Sequence, residues 1–332
     1  MTYNITLIPG DGIGPQVTEA AKMVLEVSGV NINWEVVEAG QKAIQKYGTP
    51  LPDFVIDSIK RNRVALKGPV TTPIGTGFRS INVALRQALN LYANVRPVKS
   101  YKGISSRYDG IDLIIVRENT EDLYAGIEHK IGEDAAESIK IITRKASERI
   151  AKFAFELAKK GERRKVTAVH KANIMKYTDG LFLDCVRKVS QEYPKIIFEN
   201  VIVDAMSMKL VQTPQDYEVL VMPNLYGDIL SDLAAGLVGG LGIVPGANIG
   251  EMEAVFEPVH GSAPELDPNM GNPTAAILSG VMMLRYLGES KAADKVEKAV
   301  EKVLEEGRYL TCDIGGNTRT LEYAEAIIDA LE

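Results

Sequence analysis

The first forty residues decide the layer arrangement of this chain. NITLIPG reads as a strand, and GPQVTEAAKMVLEVSG sets Val17, Ala20, Ala21, Val24 and Leu25 on one helical face. INWEVVEAG returns as a second strand. Strand, helix and strand in this order form a βαβ unit, whose crossover makes the two strands parallel. The alternation then recurs. Helical stretches near Pro52 to Asn62, Asn82 to Leu91 and Ser147 to Lys160 are interleaved with the apolar runs VALKGP, DLIIVRE, KVTAVH and YEVLVMPN. After Gly250 come a strand (AVFEPVH), a loop to Asn272, a long helix to Leu287, a charged helix from Lys291 to Glu306 and a closing helix from Thr320 to Leu331. The fold class is therefore α/β, and 332 residues imply two domains or one large α/β unit. The stretch Ala125 to Arg144 stands apart. Its polar EHKIGEDAAESIK followed by the β-rich IKIITRK suits an arm or hairpin.

The turn Gly10-Asp11-Gly12-Ile13-Gly14 invites comparison with a dinucleotide fingerprint, with Glu38 as the ribose acid. The spacing fails, because the third glycine comes one place early and Pro15 follows it. Tight-turn glycines opening a helix remain, and such a helix start suits an anion or cofactor. Other classes fall away on composition. No apolar run approaches the roughly 20 residues of a membrane span. The N-terminus has neither the basic nor the apolar region of a secretory signal, and two cysteines, Cys185 and Cys312, suit a reducing, cytoplasmic setting. A net charge of −6 gives no footprint for nucleic acid, and KRNR and ERRK read as solvated faces.

The chemistry gathers in a few stretches. In NLYGDILSD, Asp228 and Asp232 fall on one face of a helix, where like charges repel unless something positive lies between them. Apolar neighbours Leu225, Ile229, Leu230 and Leu233 suggest burial, so the pair reads as a hard-cation site. Asp204, closing FENVIVD, could be a third ligand for Mg²⁺ or Mn²⁺. The loop GPVTTPIGTGFRSINVALR brings Ser80, Asn82, Arg79 and Arg86 to a helix start, suited to a carboxylate or phosphate. Simple N-capping by Ser80 is the alternative. Arg96 in NVRPV and Arg117 in IIVRENTEDLYAG follow apolar strand residues, where two-pronged carboxylate binding competes with a structural ion pair. With Arg86 they make a set suited to a substrate with several carboxylates. Tyr124 can serve proton transfer or the core. Lys171, after the strand VTAV, is placed where a lysine pKa can be lowered, although most lysines are solvated. The residues by themselves describe a metal-dependent α/β enzyme acting on a polycarboxylate, with a nucleotide site near GDGIG.

Taken together, IPGDGIG, YANVRP, VRENTEDLYAG, HKANIM, NLYGDILSDLAAGLVGGLG and EPVHGSAP resemble, in order and spacing, the β-decarboxylating dehydrogenases of isocitrate, 3-isopropylmalate and homoisocitrate. The resemblance spans nearly the whole chain. It implies a two-domain isocitrate/isopropylmalate dehydrogenase-like fold, distinct from a Rossmann fold, with an intersubunit arm at about 125–144. It also implies interleaved domains, a large cofactor-bearing one at 1–97 and 240–332 and a small dimerisation domain at 98–239, with the cleft between them. The implied reaction oxidises a 2-hydroxy acid, releases the β-carboxylate as CO₂ and protonates an enolate. The family's metal ligands fall on Asp228 and Asp232 of one subunit and Asp204 of the other. Lys171 of that other subunit takes the hydroxyl proton, and Tyr124 returns one. Arg86, Arg96 and Arg117 hold carboxylates. A homodimer with shared active sites is implied.

Substrate and cofactor choice rest on two loops. SINVALR resembles the isocitrate dehydrogenase version, in which Ser80 and Asn82 meet the γ-carboxylate; an isopropylmalate enzyme would need an apolar residue there. Homoisocitrate dehydrogenase is the nearest competing reading, and a non-catalytic regulatory subunit a remote one. The resemblance puts the adenosine end of the cofactor on His260, Gly261, Ser262, Ala263, Glu265 and Asn272. Glu265 would accept from a ribose 2′-hydroxyl and repel a 2′-phosphate, which predicts NAD. The loop departs from the commoner NAD pattern, with Glu in place of Asp and one residue fewer. Thr72, Asn82 and Glu257 match positions near the nicotinamide and its ribose.

Overall fold

The computed structural model describes residues 2–72 and 80–331. Arg79 and the middle of the loop from Thr71 to Arg86 lie outside the described residues. In chain order the elements are β1 (Thr2–Ile8), α1 (Gly14–Glu26), β2 (Asn31–Val36), α2 (Gln41–Tyr47), α3 (Asp53–Asn62), β3 (Val64–Lys67) and α4 (Ile81–Ala88). Then come β4 (Ala93–Lys99), β5 (Asp112–Glu118), β6 (Glu128–Ile131), β7 (Ala135–Ser138), α5 (Arg144–Lys160), β8 (Lys165–His170) and α6 (Thr178–Ser190). The remainder is β9 (Ile197–Ile202), α7 (Val203–Gln212), β10 (Val219–Met222), α8 (Asn224–Val238), β11 (Pro245–Ile249), β12 (Ala254–Pro258), α9 (Thr274–Tyr286), α10 (Ser290–Glu306) and α11 (Thr320–Leu331).

Two compact units form. The first comprises Met1–Leu89, Lys99–Asp109 and Ala235–Glu332, the second Asn90–Val98 and Gly110–Ala234. Against the expected limits near 97 and 239, the units exchange short pieces. Lys99–Asp109 stays with the first unit because Lys99 pairs with Glu301 and Lys102 with Glu305 on α10.

In the first unit the strand order is β2-β1-β3-β12-β11, parallel except for β11 against β12. The opening βαβ unit is present as read: Thr2 to Leu7 run parallel to Asn31 to Val36. Helices α1, α9, α10 and α11 pack on one another. α9 is buried nearly all round, which matches its apolar sequence without a polar stripe. The GDGIG turn does mechanical work. Gly10 and Gly12 adopt positive φ, and a Cβ on Gly12 would run into the Ser262 carbonyl. Asp11, buried, accepts from the amides of Gln41 (2.8 Å) and Thr71 (2.9 Å), and Ile13 donates to Ser262 (3.0 Å). The turn thus clasps the two loops expected to hold ligands. Glu38 pairs with Lys46 in solvent and is no buried ribose acid.

In the second unit the order is β4-β5-β10-β8-β9, with β10 parallel to β5 and β8, and β8 parallel to β9. α5 buries Ile150, Ala151, Ala154, Phe155 and Ala158 against β5, β10 and α6, and Thr143 caps it by accepting from the Ala146 amide. The expected arm is a hairpin, β6 against β7, exposed along both strands. Its β-rich continuation IKIITRK is not a strand, since only Ile141 makes a bridge, to Asp122, before α5 begins. No described helix is long and apolar enough to cross a membrane.

Candidate active site

Helix α8 presents Asp228 and Asp232 one turn apart, as its spacing required. They are not buried: their side chains keep 41% and 56% of their exposure. Ile229, expected to enclose them, is itself exposed. The positive charge that the pair needs comes from β4. Arg96, almost fully buried, reaches Asp228 at 3.6 Å and Asp232 at 3.4 Å and donates to Ser231. Arg117, at the end of β5 and 1% exposed, pairs with Asp228 and donates from Nε to Asn224 Oδ1 (2.8 Å). Its guanidinium lies 4.9 Å from the Tyr124 ring centre, and the Tyr124 hydroxyl donates to Asp228 (2.5 Å). Burial and the Asp228 hydrogen bond push the Tyr124 phenol up, so it keeps its proton. Partial burial, with the Asp228 charge, pushes Asp232 up against the pull of Arg96. Two arginines, two carboxylates and a protonated phenol thus share one surface of the second unit.

Lys171 and Asp204 make a separate pair. Asp204 sits in the first turn of α7, one element beyond the strand end where the sequence suggested it, and accepts from Lys171 Nζ. That hydrogen bond holds its carboxyl below the usual range. Among the described residues no three His, Cys, Asp or Glu side chains of this chain gather as a metal centre. Two half-exposed carboxylates on one helix face, both oxygen donors, nevertheless fit a hard divalent cation as part of a ligand set.

In the first unit, Ser80 precedes α4 without a side-chain capping bond and, among the described residues, receives a long bond from the Thr72 hydroxyl (3.4 Å). Among the described residues Asn82 Oδ1 is buried with no hydrogen-bond partner, an unmet polar group of the kind a ligand satisfies. Arg86 is buried and lies 3.3 Å from Glu257. Glu257 also pairs with Lys67 and accepts from Asn248 (2.7 Å). Burial pushes the Glu257 carboxyl up, but Lys67 and Arg86 outweigh it and hold it at about 2. His260 Nδ1 bonds the Gly261 carbonyl (2.9 Å), its Nε2 is buried without a partner among the described residues, and burial lowers the ring's pKa so that it stays neutral. Gly261 faces open space. Ser262 bonds Thr71 (2.7 Å), Ala263 takes a positive φ, and Glu265 is exposed. Asn272 serves the fold, accepting from the Thr274 amide at the start of α9 and donating to Asp313. The unpaired Asn82 and His260 atoms and the open Gly261 fit a nicotinamide cofactor.

The pattern of the isocitrate/isopropylmalate dehydrogenase family matches residues 4–330, the span that supplies every one of these side chains. The chain belongs to that family. It is 52% identical to NAD isocitrate dehydrogenase catalytic subunit 5 of Arabidopsis thaliana, covering 98% of this chain and 88% of the relative. It is 50% identical to the NADP isocitrate dehydrogenase of Thermus thermophilus, covering 98% of this chain and 67% of that relative. The crystal structure of isocitrate dehydrogenase from Methylococcus capsulatus superposes with a TM-score of 0.97 at 55% identity, covering 99% of both chains. As a member of this oxidoreductase family the chain has the expected α/β fold. Sequence reasoning missed Lys67, Asn248 and Asn224. A lysine inside the apolar run VALKGP was the available signal, because Lys is almost never fully buried unless paired.

Proposed function

We propose that this chain is an NAD-dependent isocitrate dehydrogenase that oxidatively decarboxylates isocitrate to 2-oxoglutarate and works as a homodimer. The observation that carries the reading is the meeting of Arg96, Arg117 and Tyr124 with Asp228 and Asp232. Guanidinium forks suit the carboxylates of a tricarboxylate substrate, and Arg86 is the third of the expected set. Asp228 and Asp232, with Asp204 of a second copy, would hold Mg²⁺ or Mn²⁺, which polarises the substrate's hydroxyl and new carbonyl and stabilises the enolate. NAD, held near Asn82, His260 and Gly261, would supply the hydride acceptor. Lys171 of the second copy takes the hydroxyl proton, its pairing with Asp204 keeping both at one place. Tyr124, which holds its proton, delivers it to the enolate carbon after CO₂ leaves. The large, cofactor-bearing domain corresponds in this reading to the first unit, and the small dimerising domain to the second.

Ser80 and Asn82 favour isocitrate over 3-isopropylmalate: an uncapping hydroxyl and an unmatched amide would be left unpaired against an isopropyl group, which is costly. Glu265, exposed on the loop after Ala263, favours NAD through repulsion of a 2′-phosphate. The test is reduction of NAD and of NADP with Mg²⁺ or Mn²⁺ across isocitrate, homoisocitrate and 3-isopropylmalate. The highest kcat/KM is expected for isocitrate with NAD, and a higher value for another pair overturns the corresponding part.

A further inference from the structure

One buried polar cluster has no part in the roles above. Asp179, in the first turn of α6, is fully buried. Its Oδ2 accepts from the backbone amide of Lys171 (2.6 Å) and from the Tyr226 hydroxyl (3.0 Å). Its Oδ1 meets Lys140 Nζ at 2.7 Å. Lys140 lies where the chain returns from the hairpin, and it reaches Asp122, also fully buried, at 3.6 Å and sits 4.5 Å from the Tyr226 ring centre. Asp122 in turn accepts from the Leu225 amide in the first turn of α8 (2.9 Å) and stands two residues before Tyr124.

The Thr178 hydroxyl adds a long bond to Oδ1 (3.5 Å), and a buried carboxylate with so many donors is held hard, because each donor offsets part of a large desolvation cost. The segments that it fastens are unrelated in sequence: the loop carrying Lys171, the hairpin return, and α8 with Asp228 and Asp232. We propose that Asp179 is a positioning residue that sets the backbone of Lys171 relative to α8, with Tyr226 and Lys140 as its partners. The proposal rests on the functional reading above, in which Lys171 serves the site of a second copy while Tyr124, Asp228 and Asp232 serve their own. The cluster therefore joins the half-site a chain keeps to the half-site it donates, within one chain.

The experiment uses the full-length enzyme. Asp179→Asn keeps an oxygen for the Lys171 amide but loses the charge that holds Lys140, and Tyr226→Phe removes one donor with little change of shape. Displacement of a proton-abstracting group by up to 1 Å costs about 100-fold, so Asp179→Asn should lower kcat about 10- to 100-fold and Tyr226→Phe less. KM for isocitrate should stay within about threefold, since Lys171 acts in the chemical step. The same substitutions are then made in a Lys171→Ala background. There each should cost under about twofold, because the group being positioned is gone. Equal loss with and without Lys171 overturns the proposal, as does unchanged kcat in both variants. Should Asp179→Asn fail to fold, Tyr226→Phe decides alone by the same two comparisons. Wild-type enzyme inactive on all three substrates overturns the functional reading and this proposal with it; active wild type with unmoved variants overturns only the proposal.

Discussion

Gly227 offers the sharpest test of how α8 and β5 fit together. In an open helical face, Gly→Ala stabilises by about 1 kcal/mol, because alanine has less backbone freedom to lose. At Gly227 the added methyl would stand 2.5 Å from Arg117 Cβ and 2.9 Å from its Cδ, where ordinary contact begins near 3.4 Å. The arginine stem must retreat by about 1 Å. It has little room to do so, being 1% exposed and held by Asn224 and Asp228. Overpacking of this kind costs about 1–3 kcal/mol, and the propensity gain offsets about 1, leaving a net loss of about 0–2 kcal/mol. Function is hit harder. In the role proposed for Arg117, a misplacement of 1 Å costs about 100-fold, so Gly227→Ala should keep most of its stability in urea unfolding while kcat/KM falls by about two orders of magnitude. A variant that is more stable than wild type and within about twofold of its kcat/KM would refute the argument.

Other consequences are independent. Burial pushes Glu121 up to about 7 despite its hydrogen bonds from Thr143, so its folded pKa lies above the unfolded one. The wild type should then lose stability as pH rises from the unfolded value toward about 7, and Glu121→Gln should gain in Tm relative to wild type across that window, with equal melting on the acid side. Lys67 and Glu257 are both buried, so Glu257→Gln strands an ammonium and should cost about 3–5 kcal/mol in urea unfolding; a loss under about 1 would contradict the pairing. Glu265→Lys should move the NADP to NAD ratio of kcat/KM upward by at least about tenfold. If the active site is shared, mixing Asp204→Asn and Asp228→Asn subunits should restore turnover that neither has alone, and no recovery after proven exchange would count against the homodimer.

What could be read in the sequence is what short-range physics controls. The βαβ opening and the amphipathic helices follow from periodicities of 3.6 and 2 within one segment, whereas the hairpin was announced only by the polar run EHKIGEDAAESIK, the β-rich IKIITRK beside it not being a strand. The GDGIG turn was correctly excluded as a fingerprint because its glycine spacing is local. Its actual work as a clasp was hidden, since Asp11 bonds Gln41 and Thr71 and Gly12 faces Ser262, contacts that no local pattern announces. The partner of Lys67 was hidden for the same reason, although a lysine inside VALKGP was a signal that one must exist. The burial of Lys67 is tolerable only because Glu257, 190 residues on, supplies the opposite charge.

The aspartates of α8 show how a correct rule can lead to an incomplete picture. The repulsion between Asp228 and Asp232 follows from helix geometry, and so does the need for a positive charge. Burial did not follow, because apolar neighbours in sequence lie on other faces: Leu230 turns inward while Ile229 faces out. In this chain Arg96 meets both carboxylates and Arg117 meets one, which places the guanidiniums expected to hold substrate in the position of provisional counter-ions. A substrate carboxylate can draw those arginines away only if a cation takes over their charge balance at the aspartates. Metal and polycarboxylate binding should therefore be mutually favourable, by the same factor in each direction. Measuring isocitrate affinity with and without Mg²⁺, and Mg²⁺ affinity with and without isocitrate, should return one coupling factor; independent binding would mean that the arginines do not exchange partners.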